Sequence, residues 1–143
     1  MHATQVPSVL VVDNDPAITR VMSLRLRHAG YRCVTAASGA EAIDAWRKQQ
    51  FDVVISDLNM PCGNGIVLAE KLRLSAAVPI IFITGFRGTY AEQTDEIKNV
   101  AVIEKPFELK SMLELVGLAV KGKPIGGNTR RIQMDTAGAA GSD

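Results

Sequence analysis

Five short stretches of the chain carry the apolar patterns that are typical of β-strands. Four of them, residues 9–12, 53–56, 80–84 and 100–104, are short, mostly apolar runs rich in β-branched side chains. The fifth, residues 31–36, alternates between apolar and polar side chains. Continuous runs of this length are typical of strands buried on both faces, whereas alternation indicates a strand with one wetter face. The pattern therefore predicts a five-stranded sheet with residues 31–36 at an edge.

Between these strands, apolar side chains recur every three or four positions, which predicts amphipathic helices. The first helix begins at Pro16, directly after the capping residue Asp15, and ends at Gly30. Strands that alternate with helices predict a doubly wound α/β fold, in which helices cover both faces of a parallel sheet. The other predicted helices lie at residues 38–50, 65–74, 88–99 and 107–120, and the apolar stripe is thinnest in 88–99.

The composition changes near the end of the last predicted helix. Residues 122–143 are rich in glycine, alanine and polar residues, and they have no apolar period long enough to pack. A chain of 143 residues is long enough to bury one core and short for two. We therefore expect one domain at residues 6–121, followed by a disordered tail at residues 122–143.

Charge and hydropathy give no sign of a nucleic-acid or membrane partner. Hydrophobic residues make up 47% of the chain, charged residues 22%, and the formal net charge is +1. The longest apolar runs fall far short of the roughly 18 residues that a membrane-spanning helix needs. The N-terminus also lacks the charged start and apolar stretch of a secretory signal. We expect a cytoplasmic protein that binds neither nucleic acid nor membranes.

Polar side chains follow the predicted strands at the points where these strands end. Because the carboxyl ends of parallel strands meet at one rim of the sheet, where α/β proteins bind ligands, we expect these side chains to converge. They are Asp13, Asn14 and Asp15 after the first strand, Asp57 after the third, Thr84 at the end of the fourth and Lys105 after the fifth.

This set of side chains predicts phosphoryl transfer. Carboxylate and amide oxygens suit a hard cation such as Mg²⁺, and the cysteines, Cys33 and Cys62, have no spacing typical of a zinc site. A hydroxyl and an ammonium beside the cation suit phosphoryl oxygens, and Asp57 is a candidate nucleophile for an aspartyl phosphate. Each residue alone has a simpler explanation as a helix cap or a solvated charge, so the prediction rests on their combination.

Four pieces of the sequence resemble the receiver domain of bacterial two-component response regulators, including the stand-alone chemotaxis type. They are LVVDNDP, DVVISDLNMPCGNG, PIIFITG and EKPF, and with their spacing the resemblance covers about residues 9–120. The resemblance implies a flavodoxin-like fold, in which five parallel strands lie in the order 2-1-3-4-5.

The resemblance implies a phosphoacceptor that switches a protein-binding surface. Asp57 would take a phosphoryl group from a phosphohistidine on a sensor histidine kinase or a histidine phosphotransfer protein. The output would be contact with a downstream protein target, and we expect a monomer or a weak homodimer. Catalysis would extend at most to the chain's own phosphorylation and dephosphorylation. Kinase contact is implied near the first helix, where Ile18 and Met22 are candidate apolar anchors.

The resemblance also implies roles for individual residues. Thr84 and Lys105 would hold the phosphoryl oxygens, and the Lys105–Pro106 peptide bond would be cis. From the residues themselves, Gly63 and Gly65 are expected to permit a tight loop with positive φ under the site. The residues implied for Mg²⁺ are Asp13, Asn14, Asp57 and Asn59, the last through its backbone carbonyl.

Three positions depart from the family pattern. Asn14 stands where the family has the second of two adjacent acids, and its amide can coordinate a cation but brings no charge. Asp15 is a possible replacement, although its simpler role is to cap the first helix. Val102 stands where the family has a signalling aromatic residue, and Phe86 lies where the family varies the rate of aspartyl-phosphate hydrolysis. Because of Asn14, we expect the chain to bind Mg²⁺ more weakly than an Asn14→Asp variant. Because of Val102, we expect its activation to be read out differently.

Two other functions remain open at this stage. Asp13 and Asp15 after the first strand also resemble the nucleophile and acid of haloacid-dehalogenase-type phosphatases. That resemblance lacks a further acidic metal-binding pair after Lys105 and leaves Asp57 unexplained. The other alternative is a receiver-like interaction module that takes no phosphate, which Asn14 and Val102 keep open.

Overall fold

A computed structural model of the chain describes residues 6–60, 63–85, 94, 97–126 and 129–130. The predicted strands and four of the five predicted helices are present, while most of the helix predicted at residues 88–99 lies outside the described residues. The strands are β1 (Ser8–Val12), β2 (Arg32–Ala36), β3 (Val53–Asp57), β4 (Asn59–Met60), β5 (Gly63–Asn64), β6 (Ile80–Thr84), β7 (Val100–Glu104) and β8 (Thr129–Arg130). The helices are α1 (Pro16–His28), α2 (Gly39–Lys48), α3 (Gly65–Arg73) and α4 (Leu109–Val120).

Six strands form one sheet in the order β2-β1-β3-β6-β7-β8, and all of its strand pairs are parallel. The short strands β4 and β5 form a separate antiparallel pair directly after β3. The five longer strands of the main sheet therefore have the predicted order 2-1-3-4-5, and the doubly wound α/β fold is confirmed. The sixth strand, β8, adds two residues at the β7 edge.

The sheet is buried on both faces, as its apolar runs predict. Along β1, Val9 and Val11 face the cluster that includes Met22 of α1 and Leu115 of α4. Leu10 and Val12 face the opposite cluster, which is formed with α2 and α3. Each fully buried aliphatic side chain of this kind contributes roughly 1.5–3 kcal/mol to folding. Strand β2 is less buried than β1, since Arg32 and Thr35 are exposed and Val34 is half-buried, as expected for an edge strand.

Two helices begin at the capping residues that the sequence indicates. Asp15 Oδ1 accepts a hydrogen bond from Ala17 N (3.0 Å), and Pro16 is the first residue of α1. Ser38 Oγ accepts from Glu41 N (3.2 Å), while Glu41 Oε1 accepts from Ala37 N (2.9 Å). These bonds satisfy N–H groups that have no partner inside the helix. None of the helices in the described part of the chain has the length and apolarity to cross a membrane.

The start of the C-terminal segment packs against the domain. Ile125 has no exposed surface and lies in the core cluster that contains Met112 and Leu115. Residues 122–126 and 129–130 are the described part of the segment that the sequence assigns to a tail. The domain boundary at residue 121 and the disorder of residues 122–143 stay predictions, with Ile125 as evidence of packing beyond that boundary.

Candidate functional site

Asp13 lies at the carboxyl end of β1 and points into the protein. Its backbone N–H donates to Ala36 O (3.0 Å), so the β1–β2 ladder still holds this residue. Its Oδ1 accepts a hydrogen bond from Asp15 N (2.9 Å) at the start of the turn into α1. Its side chain is only 4% exposed, whereas Asn14 and Asp15 are exposed. Because Asp15 caps α1, the simpler of the two roles considered for this residue is confirmed.

Asp57 is the last residue of β3 and is 5% exposed. Its backbone pairs with Ile83 of β6. Its Oδ1 accepts a hydrogen bond from Asn59 N (3.0 Å), and its Oδ2 accepts from Lys105 Nζ (3.4 Å). The carboxylate is therefore held from two sides at the rim of the sheet.

The ammonium of Lys105 lies close to the carboxylates of both Asp13 and Asp57. Its Nζ lies 3.4 Å from Asp57 Oδ2 and 3.9 Å from Asp13 Oδ2. Its backbone N–H donates to Thr84 O (2.8 Å), which fixes the end of β7 against the end of β6. The Lys105–Pro106 peptide bond is cis, as expected.

The other predicted site residues lie around this group. Thr84 ends β6 one position beyond Ile83, the residue that pairs with Asp57, and its side chain is buried. Asn59 begins β4 and is half-buried, and Asn14 is exposed next to Asp13. The fold therefore gathers the predicted residues at the carboxyl ends of β1, β3, β6 and β7. Phe86 lies outside the described residues.

The electrostatics of this corner favour an added cation. Burial raises the pKa of the Asp13 carboxyl by removing its water, and the charge of Asp57 raises this pKa further. The hydrogen bond from Asp15 N and the charge of Lys105 oppose this rise. Lys105 is 35% exposed, so solvent screens its attraction to both carboxylates. Two buried carboxylates thus share one partly solvated ammonium.

The oxygen ligands at this corner suit a hard cation that keeps some of its bound water molecules. Within the described residues, no group of three or more His, Cys, Asp or Glu side chains is arranged to hold a metal. The acidic ligands are Asp13 and Asp57, with amide and backbone oxygens beside them. Mg²⁺ accepts such a set because it is usually bound by one or two carboxylates and several waters.

Two residues, Ser56 and Gly65, lie against the backbone carbonyl of Asp57 on the core side of the site, and the sequence indicates only Gly65. Ser56 Oγ donates a hydrogen bond to Asp57 O (3.1 Å) inside the core, a contact with no sequence signal. Gly65 was predicted to permit positive φ, but it is the first residue of α3 and is not among the positive-φ glycines. A Cβ on Gly65 would lie 2.7 Å from Asp57 O and 3.0 Å from Ser56 Oγ. The reason for glycine here is therefore lack of space, and the φ-based prediction is wrong.

Comparison with known proteins decides between the chemistries that fit this corner. The sequence profile described as "Response regulator receiver domain" matches residues 9–117 of the chain. The chain belongs to the response regulator receiver domain family. Receiver domains bind Mg²⁺ and interact with sensor kinases in two-component signalling. This membership favours the receiver over the haloacid-dehalogenase-type phosphatase that Asp13 and Asp15 left open.

Curated relatives agree with this assignment. The probable transcriptional regulator ycf27 of Porphyra purpurea is 33% identical over 113 residues, which cover 76% of this chain and 45% of the relative. Response regulator ArlR of Staphylococcus aureus (strain MW2) is 27% identical over 121 residues, which cover 81% of this chain and 53% of the relative. The chain therefore spans about half the length of the curated relatives it matches.

Solved receiver structures share the fold. Chemotaxis protein CheY4 of Vibrio cholerae matches with a TM-score of 0.75 and 29% identity, over 80% of this chain and 99% of CheY4. Response regulator TrrA of Thermotoga maritima, solved in complex with Mg²⁺-BeF, matches with a TM-score of 0.72 and 26% identity, over 80% of this chain and 99% of TrrA. The long strands and their helices are thus those of receiver domains.

The space below Asp57 yields a stability prediction. Gly65→Ala should lower the free energy of unfolding by roughly 1–3 kcal/mol, because the new methyl group meets backbone atoms that cannot move freely. Gly117→Ala is the matched control, since a Cβ at this α4 position meets nothing within 4 Å and should stabilise the helix by about 0.5–1 kcal/mol. Urea denaturation measures both changes, and equal effects of the two substitutions would contradict the packing argument.

Proposed function

We propose that this receiver domain accepts a phosphoryl group on Asp57 from a phosphohistidine of a partner protein. The observation that carries the proposal is the contact of Lys105 Nζ with Asp57 Oδ2 (3.4 Å) at the carboxyl end of β3. A buried carboxylate beside an ammonium is able to attack phosphorus while the developing negative charge is neutralised nearby.

The transfer is a displacement at phosphorus. An Asp57 carboxylate oxygen forms the new P–O bond as the P–N bond of the phosphohistidine breaks, and the imidazole nitrogen keeps the electron pair of that bond. In this proposal Lys105 and the hydroxyl of Thr84 bind the oxygens of the transferred group. Catalysis rests on positioning and charge neutralisation, as is usual for phosphoryl transfer.

Mg²⁺ fits the same corner in this proposal. Asp13, Asp57, the amide of Asn14 and the backbone carbonyl of Asn59 are the proposed ligands. Bound Mg²⁺ supplies positive charge to the phosphoryl oxygens in the transition state. The proximity of two buried carboxylates, both within 4 Å of Lys105 Nζ, supports this assignment, since a divalent cation offsets their negative charge. The relative TrrA was solved with Mg²⁺-BeF, which supports a cation in this family's site.

The proposed phosphodonor contacts an apolar groove beside Lys105. The groove has a volume of about 520 Å³, and of its α1 residues Met22 is buried and Ile18 half-buried, while Val21 is 48% exposed. Of the α1 residues that line the groove, Val21 is the most accessible, so we propose it as an apolar anchor beside the predicted Ile18, while the burial of Met22 argues against Met22 as an anchor. The groove is lined by Ile18, Val21, Met22, Lys105, Pro106, Phe107 and Leu109.

The apolar lining of the groove specifies the chemistry of that partner. The basic residues in the last turn of α1, Arg25, Arg27 and His28, do not line the groove, and Arg27 donates to Cys33 O of β2 (3.0 Å). A helix of a sensor histidine kinase or histidine phosphotransfer protein that carries an apolar stripe matches the groove. The output we propose is contact with a downstream protein target.

Small-molecule phosphorylation tests the phosphoacceptor directly. The wild-type chain incubated with Mg²⁺ and acetyl phosphate should gain one phosphoryl group in its intact mass. Asp57→Asn should gain none, because its amide is not a nucleophile, and removal of Mg²⁺ with EDTA should suppress the wild-type adduct. An unmodified wild-type chain would instead support the phosphate-independent interaction module, and an adduct that persists in Asp57→Asn would exclude Asp57.

The missing second acid yields a prediction about metal affinity. Asn14→Asp should bind Mg²⁺ roughly tenfold more tightly than the wild type, because a third carboxylate adds negative charge beside Asp13. Asn14→Ser serves as the control that changes the side chain without adding charge. Isothermal titration with Mg²⁺ measures the affinities, and equal or tighter binding by the wild type than by Asn14→Asp would contradict the assignment of Asn14.

Comparing a protein phosphodonor with acetyl phosphate tests whether the donor docks in the groove. Val21→Ser should slow phosphotransfer from a phosphorylated histidine phosphotransfer protein roughly threefold to tenfold, because an apolar contact is lost. Its rate with acetyl phosphate should not change. Val67→Ser on α3 is the matched control, since Val67 is similarly exposed (45%) and lies outside the groove. If Val21→Ser and Val67→Ser transfer equally fast, the donor docks elsewhere.

A further inference from the structure

The chain turns back onto the domain directly after α4. Gly122 has a φ of +77°, a left-handed conformation that glycine adopts without strain, and its N–H donates to Ala119 O (3.0 Å). Lys123 N donates to Leu118 O (3.0 Å). This turn directs Ile125 into the core beside α4, where the side chain has no exposed surface. A fully buried isoleucine anchors the segment to the domain.

A hydrogen bond between Ile125 and Asn99, here called the latch, also fixes the segment at Ile125. Ile125 N donates to Asn99 Oδ1 (2.9 Å), and Asn99 has a φ of +57°, in the left-handed region that asparagine tolerates better than most residues. Arg73 of α3 holds Asn99 in place through a bond from Nη2 to Asn99 O (3.2 Å). Gly126 packs closely, since a Cβ there would lie 3.3 Å from Asn99 N. The contact between Asn99 and the segment is thus tightly fitted.

Beyond this latch the segment pairs with the last long strand. The residues of β8 lie parallel to β7, with Val102 opposite Thr129 and Ile103 opposite Arg130. On its other side β7 pairs with β6, so β8 covers the edge that β7 would otherwise leave open. An open edge strand presents unpaired N–H and C=O groups that pair readily with another chain.

We propose that residues 122–126 and 129–130, here called the strap, close the β7 edge and keep it from pairing with a second copy of this chain. The sequence of β7, VAVIE, is rich in β-branched residues, which favour strand pairing. Every molecule carries the same edge, so two released edges form a symmetric pair. The strap pairs with β7 next to its carboxyl end, so its release also frees the strand that leads into Lys105.

A matched pair of variants at Asn99 isolates the latch in the full chain. Asn99→Gly keeps the left-handed backbone but loses the acceptor of the Ile125 N–H, whereas Asn99→Asp keeps an acceptor oxygen. Hydrogen–deuterium exchange of residues 100–104 should be about fivefold faster in Asn99→Gly than in Asn99→Asp, as the loss of one hydrogen bond implies. Sedimentation velocity should show stronger self-association of Asn99→Gly at matched concentrations.

A second pair tests the anchor. Ile125→Ala should accelerate exchange of residues 100–104 by at least about tenfold, while Ile125→Val should change it far less. Urea denaturation of each variant separates local release from global destabilisation. The proposal is overturned if residues 100–104 exchange equally fast in Asn99→Gly and Asn99→Asp, if they are already unprotected in the wild type, or if Asn99→Gly associates no more strongly than Asn99→Asp.

Discussion

The site depends on one electrostatic arrangement, in which the Lys105 ammonium faces two buried carboxylates. Asp13 and Asp57 lie at the ends of neighbouring strands, where burial deprives both of most of their water. Burying a carboxylate without compensation costs several kcal/mol, so two acids in one corner require positive charge. Lys105 supplies part of this charge, and its solvent exposure leaves the compensation incomplete. The same deficit that makes the corner costly in the free protein makes it suitable for Mg²⁺ and a phosphoryl group.

The fold serves this arrangement by bringing strand ends together that are far apart in sequence. In the parallel sheet, β3 lies between β1 and β6, and β7 follows β6, so Lys105 approaches Asp57 from two strands away. The hydrogen bond from Lys105 N to Thr84 O holds the ends of β6 and β7 together. On the core side of the site, Ser56 Oγ donates a hydrogen bond to Asp57 O, and Gly65 packs so close to that carbonyl that a Cβ would clash with it. The proposed nucleophile, Asp57, is thus positioned at a buried strand end, while Asn14 is exposed to solvent.

Two departures from the family pattern lie near the site, Asn14 next to Asp13 and Val102 in β7. In the proposed cation site, Asn14 brings no charge, so Asp13 and Asp57 are the two proposed acidic ligands. Val102, at the position where the family resemblance implies an aromatic residue, lies in the middle of β7 and packs half-buried against the cluster formed with α2 and α3. Val102 is also the residue that pairs with Thr129 of the strap. In this chain, therefore, β7, the strand that leads into Lys105, has a small side chain at Val102 and pairs with both β6 and β8.

The sequence by itself determined the five long strands and four of the helices and indicated the chemistry, because these are encoded locally, whereas the short strands β4, β5 and β8 were not predicted. The apolar runs located the five long strands, Asp15 and Ser38 located helix starts, and residues after strands identified the site. Three features depended on tertiary contacts between residues distant in sequence. Gly65 is required by the proximity of Asp57. Of the α1 residues that line the groove, Val21 is exposed and Met22 is buried. Ile125 is buried although its surroundings in sequence resemble a flexible tail. Periodicity reports which face of an element is apolar, whereas burial and clearance at a single residue depend on what the rest of the chain packs against it.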